Sequence, residues 1–399
     1  MSCEVVGDVV HVHNRRAVRG VDLADRCERV LSAERFADAA AEIVGWPGHA
    51  PTPLVALPGL AHRLGIGELH YKDESGRFGL GSFKSLGGAY AVFRLLGREI
   101  VRRGAAATPP SRIGLVSSRF RSIVSSVTVT CATDGNHGRS VAWGARLFGC
   151  RAVIYVQKDV TPARCEAIAA LGATVVRVEG TYDEAVRRAD ADAAENGWFV
   201  VSDTSYPGYV EVPCDVMAGY GVMAGEVIAD LREPPTHVFL QVGVGGLAAA
   251  VVARMVEVWG AVRPRFVAVE PKTAACLLPS LAAGRPVAAE GGLDTVMAGL
   301  ACGEVSLVAW EILEAGIDDA LAIDDTVAMR AMRLLADGTP SVVGGESGAA
   351  GLAGVIAAAE DPILARALGL DRSARVVVFG SEGATDPAVY RRIVGRDAA

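Results

Sequence analysis

Between about residue 127 and residue 204 the apolar positions switch back and forth between two periods. VTVTCAT is β-branched and predicts a strand, followed by the turn DGNHG and the helical RSVAWGARLFG. RAVIYVQ predicts the next strand, and TPARCEAIAALG a helix with Pro162 in its first turn and Gly172 at its stop. ATVVRVEG, YDEAVRRADADAAENG and WFVVSDT repeat the alternation. Strands and helices exchanged over such short spacings imply a parallel sheet covered on both faces. A second region of the same kind starts at HVFLQVGVGGLAAAVVARMVEVW, with RFVAVEP and ARVVVFGSEG as further buried strands. The fold class is therefore α/β, built on open, mostly parallel twisted sheets flanked by helices.

Upstream, Leu86, Ala89, Tyr90, Phe93 and Leu96 recur at a helical period, which places Lys84 near the start of a helix. The stretch GAAATPPSRIGLVSSRFRSIVSS, from Gly104, has the weakest pattern and is expected to be a surface excursion with Arg112, Arg119 and Arg121 in solvent.

Composition narrows the class of function. With 399 residues, 51% hydrophobic and 21% charged, the chain has material for two domains or one large α/β unit. A net charge of -7 without a basic cluster disfavours nucleic acid as a partner and favours a small molecule. MSCEVVGDVVHVHNRR lacks the basic start and apolar core of a secretory signal. LAAAVVARMVEVWGAV is broken by Arg254 and Glu257, so no membrane span is expected and the location expected is the cytoplasm. The eight cysteines show no CxxC pair and no zinc-like spacing with histidine, so no metal site is expected.

Four short pieces could carry chemistry, and each has a plain structural alternative. Lys84, in RFGLGSFKSLGGAYA, is either a solvated loop lysine or an amine at the positive end of a helix, where the ammonium form is disfavoured. GVGGLAA, from Gly243, follows a strand and opens a helix; its backbone N–H groups suit a phosphate, or the glycines serve only a tight turn. TDGNHG, from Thr133, gathers a carboxylate, an amide and an imidazole at a strand's carboxyl end, where open α/β sheets bind ligands. Its Asp134 could equally be a helix cap and His137 a packing residue. SEGATD, from Ser381, puts a hydroxyl at another strand end.

A phosphate cradle, an aldehyde-reactive lysine and polar loops for a ring together describe pyridoxal 5'-phosphate. The chain resembles the tryptophan-synthase-like (fold type II) family of pyridoxal-phosphate enzymes, and within it the diaminopropionate ammonia-lyases. The resemblance rests on PTPL at Pro51, YKDESGRFGLGSFKSLGGAYA, TDGNHGRSVAWGARLFG, YDEAVR, SDTSYPGYVEVP, VMAGLACGE, GGESGAAGL and SEGATD. It implies a large cofactor domain of residues 1–85 and 215–399 and a small domain of residues 86–214. It also implies that Lys84 is the imine lysine, that Asn136 meets the cofactor's phenolic oxygen, that Gly243, Val244, Gly245 and Gly246 hold the phosphate, and that Ser381 faces the pyridine nitrogen.

The implied reaction is α,β-elimination of 2,3-diaminopropionate, as both D and L isomers, to pyruvate and ammonia. Asp134 would remove the Cα proton of the D-isomer and Lys84 that of the L-isomer from the opposite face, with Asp203 near the substrate amino groups. A homodimer is expected, as in fold relatives. The alternatives are a serine or threonine dehydratase and a synthase that traps aminoacrylate. Tyr206 stands where the lyases carry tryptophan, Ala384 where they carry an acidic residue, and Gly81-Ser82 where they carry asparagine-alanine. Cys276 and Cys302 match two lyase cysteines; they could form a disulfide, though two thiols are expected in a cytoplasm.

Overall fold

A computed structural model describes residues 4–6 and 9–398. Its strands are β1 (Glu4–Val6), β2 (Val9–His13), β3 (Leu54–Ala56), β4 (Glu68–Asp73), β5 (Thr128–Ala132), β6 (Arg151–Gln157), β7 (Thr174–Val178), β8 (Phe199–Val200), β9 (His237–Gln241), β10 (Arg265–Pro271), β11 (Asp319–Ile323) and β12 (Arg375–Gly380). The chain folds as two compact units. One comprises the described residues up to Ala33, Ala50–Phe83 and the described residues from Met223 onward, and the other Glu34–His49 and Lys84–Val222.

The first unit holds an eight-stranded sheet in the order β1-β2-β11-β10-β9-β12-β4-β3. Its middle strands, from β11 to β4, are all parallel, and antiparallel strands close both edges. β9 and β11 are buried at every position, as in strands covered on both faces, and are apolar at Val238–Leu240 and Ala320–Ile323. The helix Ala350–Glu360 lies against the sheet, with its apolar side chains in a core that includes Phe239, Val269 and Leu321.

Beneath β4 this unit buries a charged network. Arg77 is 1% exposed; its guanidinium donates to Glu74 Oε1 and Oε2 at 2.7 and 2.8 Å and to Glu226 Oε1 and Oε2 at 2.8 and 2.7 Å. Lys72 Nζ donates to the Thr52 carbonyl at 2.6 Å and lies 2.7 Å from Glu226 Oε2. A fully paired set of buried charges tolerates loss of one member poorly, because the remaining charges stay buried without compensation. Arg77→Met is therefore expected to cost about 3–5 kcal/mol, read as a lowered urea midpoint; a loss below about 1 kcal/mol would show that the network is solvated.

The second unit holds the four-stranded, wholly parallel sheet β7-β6-β5-β8. Its helices Lys84–Arg102 and Asn136–Phe148 pack at close range through glycines: a Cβ on Gly144 would lie 2.8 Å from Ala89 Cα, and one on Gly88 2.4 Å from Ser140 Oγ. The Ala89 N–H donates to Ser140 Oγ at 3.0 Å across the same seam. These contacts fix two helix starts, at Lys84 and at Asn136, within one unit.

Three expectations change. Residues 34–49, Lys84, Ser85 and residues 215–222 fall in the second unit, outside the 86–214 span of the implied small domain. A packing contact that no local pattern encodes is part of the reason, since a Cβ on Gly221 would lie 2.2 Å from the ring of Phe36. The stretch from Gly104 is more than a surface excursion: Leu115, Phe120 and Val124 are buried, around short helices at Arg112–Leu115 and Arg121–Ser126. Finally, the helix Glu211–Asp230 is long and apolar enough to cross a membrane by length and composition, which the sequence reading overlooked. Most of it is buried inside the protein, and its Asp215 accepts a 2.6 Å hydrogen bond from Arg98, as in a core helix.

Candidate active site

Lys84 is the first residue of its helix, and its amine is mostly shielded, with 20% of the side chain exposed. Of the four lysines in the sequence, Lys72 is committed to the buried network, and Lys158 and Lys272 are exposed. Lys84 Nζ donates to Asp203 Oδ2. The helix start disfavours an ammonium, and the carboxylate beside it works in the opposite sense. Burial alone would push Asp203 upward, but the Lys84 ammonium and His137 hold its carboxyl well below the usual carboxylate range.

Asp203 itself sits on a tied loop. Tyr209 Oη donates to the Val200 carbonyl at 3.0 Å and accepts from the Ser202 N–H at 2.9 Å, which ends β8 after two residues. Tyr206 stacks on Tyr209 with ring centroids 4.8 Å apart and is 43% exposed, so the residue that departs from the lyase pattern lies on the outer side of this loop.

The TDGNHG turn joins β5 to the helix Asn136–Phe148. Thr133 Oγ1 accepts from the N–H groups of Gly135 and Gly138, both at 3.0 Å, and so closes the turn. Gly135 has φ +148°, a conformation that favours glycine. His137 Nε2–H donates to the Val201 carbonyl at 2.7 Å, and its Nδ1 lies 3.8 Å from Asp203 Oδ2. Burial lowers the His137 pKa, and the Asp203 carboxylate works in the opposite sense. Asp134 is neither a side-chain cap of this helix nor fully exposed. Burial pushes its carboxyl up to about 6, reinforced by Asp203 and opposed by Arg164 and Lys84. The second unit thus gathers a lysine and two carboxylates of opposite character, one held ionised and one poised near neutrality.

In the first unit, β9 and β12 run parallel and end side by side, and the other predicted residues lie just past their carboxyl ends. Val242 and Val244 are tied to neighbouring segments, through the Val242 N–H to the Val269 carbonyl and from the Ser306 N–H to the Val244 carbonyl, both at 2.9 Å. Gly245 has φ +96° and caps the helix Gly246–Trp259. Added side chains would collide: a Cβ on Gly245 would lie 2.8 Å from Leu313 Cδ1, and one on Gly243 3.0 Å from Cys302 Sγ. A bare backbone turn at a helix start is what a phosphate dianion requires. Cys276 Sγ lies 3.5 Å from the Gly243 carbonyl, and Cys276 and Cys302 are reduced thiols rather than a disulfide.

Ser381 is buried, and its Oγ accepts from Gln241 Nε2 at 2.7 Å; the same amide donates to the Phe379 carbonyl at 2.7 Å. With an acceptor site of Ser381 filled by Gln241, the hydroxyl proton is directed to another acceptor, which suits an unprotonated ring nitrogen. The glycine cradle and this oriented hydroxyl fit the phosphate and pyridine ends of pyridoxal phosphate. The segment before Lys84 is tied to the same strand end, by Phe83 N–H to the Ser381 carbonyl at 2.9 Å and Gly383 N–H to the Gly81 carbonyl at 3.0 Å.

Sequence reasoning missed Gln241 and Arg164. Each carried a signal: Gln241 is a polar residue closing an otherwise apolar strand, and Arg164 is a cation in a helix's first turn, against the dipole.

Removing the space at the glycine turn should weaken cofactor binding. Gly245→Val is expected to raise the Kd for pyridoxal phosphate by at least about tenfold, in line with about 1–3 kcal/mol for overpacking, measured by absorbance titration of the apoprotein. An unchanged Kd would place the phosphate elsewhere.

A model of the pyridoxal-phosphate dependent enzyme family matches residues 46–381. Diaminopropionate ammonia-lyase of Escherichia coli strain K12 is 39% identical over 361 residues, spanning 87% of this chain and 88% of that protein. The crystal structure of the Escherichia coli diaminopropionate ammonia-lyase with D-serine is 35% identical, with a TM-score of 0.84, covering 97% of this chain and 96% of that one. Another, with an aminoacrylate-PLP azomethine reaction intermediate, is 34% identical, with a TM-score of 0.83 and 98% of both chains covered. This chain belongs to the pyridoxal-phosphate dependent enzyme family.

Proposed function

We propose that this chain is a carbon-nitrogen lyase that eliminates ammonia from 2,3-diaminopropionate, in either configuration, to give pyruvate and a second ammonia. The observation that carries it is the grouping of Lys84, Asp134 and Asp203 in one unit of a chain 39% identical to a diaminopropionate ammonia-lyase. Pyridoxal phosphate, when bound, supplies the electron sink that acidifies the substrate Cα–H.

The protein's part is binding, orientation and proton transfer. Gly243, Val244, Gly245 and Gly246 would hold the phosphate, Ser381 would donate to the ring nitrogen, Asn136 would meet the phenolic oxygen and Lys84 would be the attachment point. Elimination needs a base at Cα, and substrates of opposite hand present that proton on opposite faces. Asp134 takes the proton of the D-isomer and Lys84 that of the L-isomer. Asp203, kept ionised, receives the substrate's amino groups and supports protonation of the departing amine. A hydroxyl at the ring nitrogen, rather than a carboxylate, suits elimination over transamination. The proposal extends to a homodimer in the cytoplasm.

A panel of D- and L-2,3-diaminopropionate, serine and threonine tests this reading. The expected result is the highest kcat/KM on diaminopropionate. Pyruvate or 2-oxobutyrate from serine or threonine with none from diaminopropionate would make the chain a dehydratase, and Tyr206 and Ala384 the first positions to examine.

A further inference from the structure

Two side chains reach Asp134 from the neighbouring strand-to-helix connection. β5 and β6 are parallel and in register up to Ala132 and Tyr155, so the loops beyond them lie side by side. Gln157, the last residue of β6, donates from Nε2 to Asp134 Oδ1 at 3.4 Å. Arg164, in the first turn of the helix Pro162–Ala169, donates from Nη1 to the Asp134 backbone carbonyl at 3.4 Å. The stem of Arg164 covers Gly135, its Cδ, Cγ and Cβ lying 3.3, 3.6 and 3.8 Å from where a Cβ on that glycine would be. A first-turn arginine opposes its own helix dipole. Its placement over the turn, with its head group at the Asp134 peptide, gives that unfavourable position a use.

The groups that act on the Asp134 carboxylate come from four further segments of the second unit. Lys84 and Arg164 are the cations, Asp203 is the opposing carboxylate, and Gln157 is the neutral donor. Lys84 is engaged by Asp203. Arg164 is the cation whose head group sits at the Asp134 peptide.

We propose that Arg164 is a positioning residue for Asp134, clamping its turn and setting a positive charge near its carboxylate, with Gln157 fixing the orientation of that carboxylate. Arg164 then governs turnover of the D-isomer and leaves turnover of the L-isomer alone. The inference rests on the reading of Asp134 as the base for the D-isomer.

The test is the pH dependence of kcat/KM for each isomer with the holoenzymes of wild type, R164Q, R164K and D134N. An opposite charge close to a carboxyl lowers its pKa by about one unit or more. In R164Q the acid limb for the D-isomer should therefore move up by about one pH unit, a loss of about fivefold at pH 6 and about twofold at pH 7. The limb for the L-isomer should stay in place, and R164K should restore the limb for the D-isomer. An unmoved limb for the D-isomer in R164Q, or equal movement for both isomers, overturns the proposal. D134N separates the two readings: unselective loss there sinks the base assignment, whereas selective loss with an unmoved R164Q limb sinks only the role of Arg164. If R164Q does not fold, Q157L is read in the same way, since removing a donor to the ionised form also moves the limb for the D-isomer upward.

Discussion

Lys84→Ala is expected to lower kcat on both isomers of 2,3-diaminopropionate by at least about a thousandfold, the scale of a lost general base compounded by a lost attachment point. Lys84 is the shielded lysine at a helix start, and Asp203 holds its amine in place. Lys84→Arg should fare no better, because a guanidinium keeps its proton and cannot serve as nucleophile or base. Borohydride reduction of the wild-type holoenzyme followed by digestion should place the cofactor on the peptide containing Lys84. Retention of a tenth or more of wild-type activity in Lys84→Ala would remove this residue from the chemistry.

Asp134→Asn should lower kcat/KM for the D-isomer by about 10²–10⁴-fold and change that for the L-isomer by less than about tenfold. An amide preserves the shape of the side chain and removes its basicity. The pH behaviour of the wild type follows from the same group. Burial raises the Asp134 carboxyl to about 6. A base must be deprotonated, so with Asp134 as the proposed base for the D-isomer its turnover should fall as pH drops through that value, while turnover of the L-isomer, for which Lys84 is the proposed base, should show no limb from Asp134. Steady-state rates on resolved isomers check both points, and equal loss on the two isomers would contradict the assignment of faces.

Much of this was legible in the sequence, for identifiable reasons. β6 spans RAVIYVQ as expected, because a strand buried in a parallel sheet writes its length in apolar and β-branched residues. The helix starts at Lys84 and Gly246 were legible from period and glycine chemistry. WFVVSDT, in contrast, keeps only Phe199–Val200 as strand, because Tyr209 captures the backbone on either side of Val201. The division into units was illegible at Phe36 and Gly221, which meet across a gap in sequence that no local pattern bridges. Site residues supplied by long-range hydrogen bonds, such as Gln241 on Ser381, are hidden for the same reason.

The enzyme is expected to release both nitrogens of one substrate, the first by elimination and the second by hydrolysis. The most direct measurement is the ratio of ammonia to pyruvate formed by the wild-type holoenzyme from pure D- and pure L-2,3-diaminopropionate, each taken to completion. Two ammonia for each pyruvate are expected from either isomer. One ammonia for each product, or no pyruvate from either isomer, would contradict it.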